Sequence, residues 1–376
     1  MVHHLGNEFT FKIITLDRDY YDKESYPNIV VENWNTVGNA SVYYLPHRNC
    51  SFWRYYHLLK NTSHDILHLN GFFSYTFTIK PLILRRLGLT PRCPVILAPR
   101  GHFAEGALSL KSFKKRVFIG LAKLVRLYHG VVWHAASASE AQDVARVLGA
   151  HQHIYIAQNL AVYRDDVSGQ HKAPRSKRIG TLKIVFISRI SREKNLDGAL
   201  RILQGMEGDI QFDLYGPRED MSYWAECEDL IRTLSPKIKV AYKGLLPHDQ
   251  VEDVFSKYDL FLFPTLGENF GHVILEALIS GCPVLISDRT QWRNLEEKQV
   301  GCDLPLEDPG RFRKVIYRCI NMDSVEHSKW AKAAMEFGAE IARDKGAIEQ
   351  NRKLFLTALT GASNARSCKA VSDDKN

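Results

Sequence analysis

The sequence predicts an α/β protein built of two Rossmann-like halves, and three observations carry that expectation. Short apolar runs alternate with helical stretches through the first 150 residues, a polar segment interrupts them, and the alternation then restarts. Strand–helix alternation of this kind calls for a parallel sheet with helices on both faces. The chain has 376 residues, 45% hydrophobic and 24% charged, enough for two separate cores. Two such halves joined by a linker imply a cleft between domains.

In chain order, the first half offers strand-like runs at Phe11–Leu16, Ser41–Leu45, Asp65–Leu69, Pro94–Ala98 and Gly130–His134. Helical patterns fall at 51–60, 75–87, 111–128 and 138–148. The segment from Arg164 to Gly180, including Ser168-Gly169-Gln170-His171-Lys172-Ala173-Pro174, reads as a linker. The second half then gives Leu182–Ile187, Ile210–Tyr215, Ile238–Tyr242, Asp259–Pro264 and Cys282–Ile286. The expected domains are 1–165 and 181–360, followed by a polar, disordered tail at 361–376. No repeat of fixed period is visible.

Composition excludes several classes. No apolar run approaches the ~18 residues that a membrane-spanning helix needs. The start, Met1-Val2-His3-His4-Leu5, has no basic region followed by an apolar stretch, so no secretory signal is expected. Seven cysteines, odd in number and without a Cys-x-x-Cys pair, fit a reduced cytoplasmic setting and suggest neither a zinc site nor a disulfide framework. The net charge of +8 is uneven: residues 1–180 hold 23 Lys and Arg against 12 Asp and Glu, residues 181–376 hold 27 against 30. The densest basic cluster, Lys111-Ser112-Phe113-Lys114-Lys115-Arg116-Val117, mixes cations with apolar residues at helical spacing. It suits an anionic membrane surface or an acidic acceptor; the plainer alternative is a solvated helix face. Nucleic acid is disfavoured, because no nucleic-acid-binding module is present.

The chemistry concentrates in two segments of the second half. Gly267-Glu268-Asn269-Phe270-Gly271-His272-Val273-Ile274-Leu275-Glu276-Ala277 lies between two buried-strand patterns. One carboxylate, Glu268, sits in the loop; a helix opens near Gly271 and carries Glu276 two turns in. Helix starts beside strand ends present unpaired N–H groups to anions. Two acids and a glycine-lined helix start suit a ligand polyhydroxylated at one end and phosphorylated at the other, as a nucleotide sugar is. Glu276 is placed to accept from the ribose hydroxyls and Glu268 from those of the transferred sugar, with the N–H groups near Phe270 and Gly271 facing sugar and phosphate. In the second segment, Ser188-Arg189-Ile190-Ser191-Arg192-Glu193-Lys194-Asn195 follows the first strand of that half. Arg189 and Lys194 are the expected diphosphate ligands, since arginine grips two phosphate oxygens and lysine adds a mobile point charge.

Glu268-Asn269-Phe270-Gly271 through Glu276-Ala277 resembles the E-x-F-G-x4-E-A signature of family 4 glycosyltransferases, and Ser188–Asn195 resembles their diphosphate-binding segment. Leu214-Tyr215-Gly216-Pro217, Gly244-Leu245-Leu246-Pro247 and Ala138-Ser139-Glu140 are further family-like pieces. The resemblance covers nearly the whole chain. It implies a GT-B fold and a retaining sugar transferase that needs no metal, consistent with the lack of an Asp-x-Asp motif. Catalytic roles would fall to Glu268, Arg189, Lys194 and Arg100, and donor contacts to Glu276, Phe270, Gly271, Asn269 and Leu245, the last beside backbone that reads the base. Arg100, in Leu97-Ala98-Pro99-Arg100-Gly101-His102-Phe103, stands where many relatives carry a histidine, as in the Pro-Arg-Gly variant of cell-surface polysaccharide transferases. It would contact the diphosphate or an acidic acceptor. His102 reads as a loop histidine and His68 as structural. Against the family pattern, the first domain lacks its opening strand and glycine-rich loop.

The implied partners are a nucleotide-sugar donor, a glycan or lipid-linked acceptor and an anionic membrane surface at its inner face. A catalytically weak nucleotide-sugar-binding partner protein is the alternative, favoured by the missing strand and opposed by the complete acidic motif. An NAD-dependent enzyme ranks last, because no G-x-G-x-x-G opens a βαβ unit.

Overall fold

A computed structural model describes residues 1–19, 24–46, 50–104, 108, 112–160 and 177–373. The chain divides into two compact units, Met1–Leu160 with Lys345–Asn376, and Ala161–Asp344. Most of the expected linker, residues 164–176, lies outside the described residues, as does Lys111 of the basic cluster.

The first unit contains two sheets. In one, β1 (Phe11–Leu16) pairs in parallel with β3 (Ala40–Leu45), and β2 (Trp34–Val37) pairs antiparallel with β3 through a tight turn at Gly38. The other is fully parallel, in the order β4 (Leu67–Asn70), β5 (Val95–Ala98), β6 (Val131–Ala135), β7 (His153–Ile156). All four residues of β5 are buried, as expected for a strand covered on both faces. Helix Ala138–Leu148 matches its expected span and is capped by Ser137, whose hydroxyl accepts from the Glu140 N–H. The expected helix 75–87 is a π-helical turn, Tyr75–Ile79, running into an α-helix, Lys80–Arg86.

One boundary differs from expectation. The last helix, Lys345–Asp373, packs with the first unit although sequence placed residues up to 360 in the second domain and a disordered tail beyond. Its Leu354, Phe355 and Ala358 join Leu5, Ile96 and Ala157 in one apolar cluster. The Phe355 ring lies 5.3 Å from Phe9 and 6.1 Å from Phe11, and Asn351 Nδ2 donates to the Gln158 carbonyl at 2.7 Å.

The second unit is one six-stranded parallel sheet. Its strands are β8 (Thr181–Ile187), β9 (Asp209–Tyr215), β10 (Ile238–Gly244), β11 (Leu260–Phe263), β12 (Val284–Ser287) and β13 (Gly301–Leu304), in the order β10-β9-β8-β11-β12-β13. Counted from the first strand of the unit this is the doubly wound order 3-2-1-4-5-6. The β11 and β12 runs are buried throughout, and helices such as Leu196–Leu203 cover the sheet with an almost wholly buried apolar set.

Candidate functional site

In the second unit the strand order reverses between β8 and β11. Connections from β8 wind toward β9 and those from β11 toward β12, so the loops leaving these two carboxyl ends diverge. Open α/β sheets bind their ligands at such a switch point. Both informative sequence segments lie there.

The β8 exit is held against the β9 exit: Ser188 N–H donates to the Tyr215 carbonyl at 3.1 Å and Ile190 N–H to that of Pro217 at 2.8 Å. Gly216 permits this approach. Its φ is 125°, and a Cβ there would stand 2.0 Å from the Ser188 carbonyl oxygen. A single 3-10 turn, Arg192–Lys194, follows, and Asn195 adopts the left-handed conformation at φ 58° before helix Leu196–Leu203. The Asn195 side chain donates to the Pro264 carbonyl at 2.7 Å and ties this turn to the end of β11. Lys194 is only 6% exposed. A buried ammonium requires a counter-charge, and Lys194 Nζ finds it in Glu268 Oε2 at 2.9 Å, with Glu193 Oε1 at 3.6 Å.

The β11 exit is anchored from the other side. Leu266 N–H donates to the Glu193 carbonyl at 2.8 Å, Thr265 Oγ1 donates to the same oxygen at 3.1 Å, and Glu268 N–H donates to the Arg289 carbonyl at 3.1 Å. Glu268 Oε1 accepts from the Asn269 N–H at 3.1 Å, and Trp292 Nε1 donates to the Phe270 carbonyl at 2.6 Å. Phe270 is buried. Gly271, at φ 74° and ψ 62°, turns the chain into helix His272–Ile279; a Cβ there would meet Ile274 Cδ1 at 2.8 Å and Glu268 Cγ at 3.0 Å. Glu276 lies half-buried on that helix, with His248 Nδ1 3.8 Å from its carboxylate. Burial pushes its carboxyl above the ordinary range, His248 opposes this, and Glu252 adds to it.

Sequence-predicted residues are thus brought together unevenly. Lys194, Glu268, Asn269, Phe270 and Gly271 form one continuous group, and Glu276 lies farther along the helix that Gly271 starts. Arg189 leaves the same loop as Lys194 but pairs with Glu219 at 2.9 Å and is half exposed. Leu245, beside Gly244 at φ 86°, is 63% exposed. Arg100 belongs to the first unit. It leaves β5 in the left-handed conformation, φ 58°, and its guanidinium donates to Asn70 Oδ1 from Nε at 3.0 Å and Nη2 at 2.8 Å, and to Asn159 Oδ1 from Nη1. Burial pulls the Arg100 guanidinium down from its ordinary range and Glu140 opposes this; the two Glu140 carboxylate oxygens accept from Gly101 N–H at 2.6 Å and Ala136 N–H at 2.7 Å. His102 Nδ1 accepts from the Phe72 N–H at 3.0 Å.

Sequence reading included Asn195 in the Ser188–Asn195 segment without giving it a role of its own, and it missed Thr265, Glu219 and His248 here, and Asn70 and Asn159 around Arg100. Only Asn195 had a local signal, standing directly before a helical pattern. The others act across the fold. Among the described residues, no group of three or more His, Cys, Asp or Glu is placed to hold a metal ion.

Comparison with known proteins adds two findings. Residues 169–321 match the family model for glycosyl transferases group 1. The chain is 23% identical over 241 residues to an uncharacterized 41.2 kDa protein in the cps region of Klebsiella pneumoniae, covering 61% of this chain and 62% of the relative. It is 25% identical over 170 residues to an uncharacterized glycosyltransferase of Methanocaldococcus jannaschii, covering 41% of this chain and 43% of that one. It is 25% identical over 163 residues to the 2-deoxystreptamine N-acetyl-D-glucosaminyltransferase of Niallia circulans, covering 41% and 40%. These matches therefore span under two thirds of each relative's length. Among solved structures, the chain resembles sucrose-phosphate synthase of Thermosynechococcus elongatus with a TM-score of 0.64 at 13% identity, covering 93% of this chain and 89% of that one. It also resembles Anabaena HepE in complex with UDP and glucose, with a TM-score of 0.63 at 15% identity, covering 92% and 99%. The fold is accordingly α/β of the GT-B class with two Rossmann-like units, and the match over residues 169–321 supports the glycosyl transferase superfamily.

Proposed function

We propose that this chain is a retaining glycosyltransferase that moves a sugar from a nucleotide-diphosphate-sugar donor to a glycan or lipid-linked acceptor in surface polysaccharide synthesis. The observation that carries the reading is the buried Lys194–Glu268 pair at the switch point between β8 and β11, beside the helix start at Gly271. The relative in the Klebsiella cps region and the neighbour in complex with UDP and glucose support the substrate class.

Each residue then has a task. Lys194 offers three ammonium N–H donors, of which Glu268 engages one, leaving others for diphosphate oxygens. Arg189 adds a second cation once it exchanges Glu219 for phosphate. Glu268 accepts from hydroxyls of the sugar and Glu276 from those of the ribose. Backbone N–H groups of Phe270 and Gly271 face sugar and phosphate, with Asn269 beside them, and the backbone around Leu245 contacts the base. In the reaction, the bond from the anomeric carbon to the diphosphate oxygen breaks through an oxocarbenium-like transition state. The acceptor hydroxyl forms the new bond on the same face, its proton passing to the leaving diphosphate. The charge that develops there is stabilised by Arg189, Lys194 and a helix N-terminus, so the reaction needs no metal. Arg100, whose guanidinium is held by the neutral side chains of Asn70 and Asn159, contacts an anionic group of donor or acceptor. A lipid-linked acceptor would bring the chain to a membrane surface.

Turnover tests this reading. Incubated with UDP-, GDP- and ADP-sugars and a panel of glycan and lipid-linked acceptors, the protein should release one nucleoside diphosphate and retain the donor's anomeric configuration. Lys194→Ala should lower kcat/KM by about 10²–10³-fold, the usual loss when one such donor is removed. Binding of a nucleotide sugar without turnover of any acceptor would favour the partner-protein alternative. An inverted product would remove the retaining assignment.

A further inference from the structure

Helix Ser112–Leu124 of the first unit is apolar on two faces, and among the described residues only one of them is covered. Ile119 and Ala122 are buried in the core that contains Phe72 and Trp133, and the half-buried Phe118 ring reaches Phe72 at 6.0 Å. On the opposite side Phe113 and Leu124 are each 78% exposed, Leu121 57% and Val117 46%. At 3.6 residues per turn these four side chains fall within an arc of about 80°. Lys114 borders that arc on one edge, Arg116 and Lys123 on the other. The surface continues past the helix: Val125 is exposed, and Arg86 Nη2 donates to the Arg126 carbonyl at 2.5 Å, which brings the exposed Leu87 alongside.

An amphipathic helix of a soluble domain normally turns its apolar stripe inward. Here the outward stripe is apolar and its borders are cationic. Between Glu105 and Glu140 the sequence contains six Lys and Arg and no acidic residue at all. A contiguous exposed apolar patch marks an interaction surface, and the charge selects the partner. A second copy meeting stripe to stripe would bring like charges together, whereas an anionic lipid surface accepts the stripe into its acyl boundary and pairs the flanking cations with headgroups.

We propose that the outer face of helix Ser112–Leu124 is a docking surface for an anionic lipid bilayer, with Phe113, Val117, Leu121 and Leu124 entering the membrane and Lys114, Arg116 and Lys123 lying at the headgroups. The exposed positions can be changed without disturbing the core. Flotation of the full chain with phosphatidylcholine vesicles, with and without phosphatidylglycerol, tests the assignment. The wild type should float with the anionic vesicles and stay behind with the neutral ones. The double substitution Phe113→Ser with Leu121→Ser should weaken binding about tenfold or more. Arg116→Ala and Lys123→Ala should each weaken it about fivefold, an effect that added salt reproduces in the wild type. Circular dichroism of the variants should match the wild type. Absence of binding to anionic vesicles, equal binding to neutral ones, or unchanged binding in the Phe113/Leu121 variant would overturn the proposal. So would a wild type that self-associates in solution through this stripe, became monomeric on the double substitution and bound no vesicle. Flotation needs neither donor nor acceptor, so this surface and the sugar-transfer reading stand or fall separately.

Discussion

Lys194 and Glu268 are 74 residues apart in sequence and 2.9 Å apart in the fold. Each was legible as a functional candidate, because each stands in a short segment directly after a buried strand. Their pairing was not, since nothing local says that the exits of β8 and β11 meet. The same limit applies to Arg189 and Glu219, and to Arg100 with Asn70 and Asn159. Gly271, by contrast, was legible by its place alone: a glycine before a helical pattern signals a backbone conformation that other residues adopt only under strain. The pair makes a prediction at its own scale. Lys194→Met leaves a partly buried carboxylate without its cation, while Lys194→Met combined with Glu268→Gln removes both charges. A double-mutant cycle by urea denaturation should give a coupling of about 1–3 kcal/mol, with the double variant more stable than the two single losses added together. Simple additivity would mean that the two side chains do not act as a pair.

Among elements, the edge strands β1, β4 and β10 were read along with the buried central ones, while three other edge strands, β2, β7 and β13, were not. β2, β7 and β13 are short, four residues each. β7 shows no buried residue, and β2 carries Asn35 and Thr36 between its apolar ends, so neither gives the apolar run by which strands are recognised. The last helix illustrates a different limit. Its apolar positions announce that it covers something; only the fold shows that this is the face of β4, β5 and β6 bearing Ile96, His68 and His134. The two imidazoles lie 5.7 Å apart, His68 faces Phe355 at 5.8 Å, and His68 Nε2 and His134 Nδ1 are buried without hydrogen-bond partners among the described residues. Burial, with mutual repulsion and Arg100 nearby, holds His68 at about 3; burial outweighs the Ala157 carbonyl's support and holds His134 at about 4. Both values lie below the ~6.5 of an unfolded histidine. As pH falls through 6.5 the unfolded chain takes up these protons first, so stability present above that pH is lost between about 6.5 and about 3–4. The urea midpoint of the first unit should therefore fall from pH 7.5 to pH 5, and His68→Leu should flatten that fall. An equal fall in the variant would assign the pH dependence elsewhere.

For the whole molecule, the alternation of strands and helices was enough to give two α/β units, because parallel sheets buried on both faces write themselves as repeated apolar runs. The sequence also located the switch point of the second unit without naming it, by placing both candidate segments after strands that the fold sets side by side. The charge asymmetry between halves was visible as well, although the proposal of a lipid-facing surface depended on knowing which side of one helix is covered. The central claim is that the second unit holds a nucleotide-diphosphate sugar where β8 and β11 end. Calorimetric titration of UDP, GDP and ADP into the full chain, and into its Lys194→Ala and Glu276→Ala variants, tests it most directly. The account predicts that one nucleotide binds selectively and that both substitutions weaken it, Lys194→Ala through the diphosphate and Glu276→Ala through the ribose. Binding of none of the three, or an affinity that both variants preserve, would contradict it.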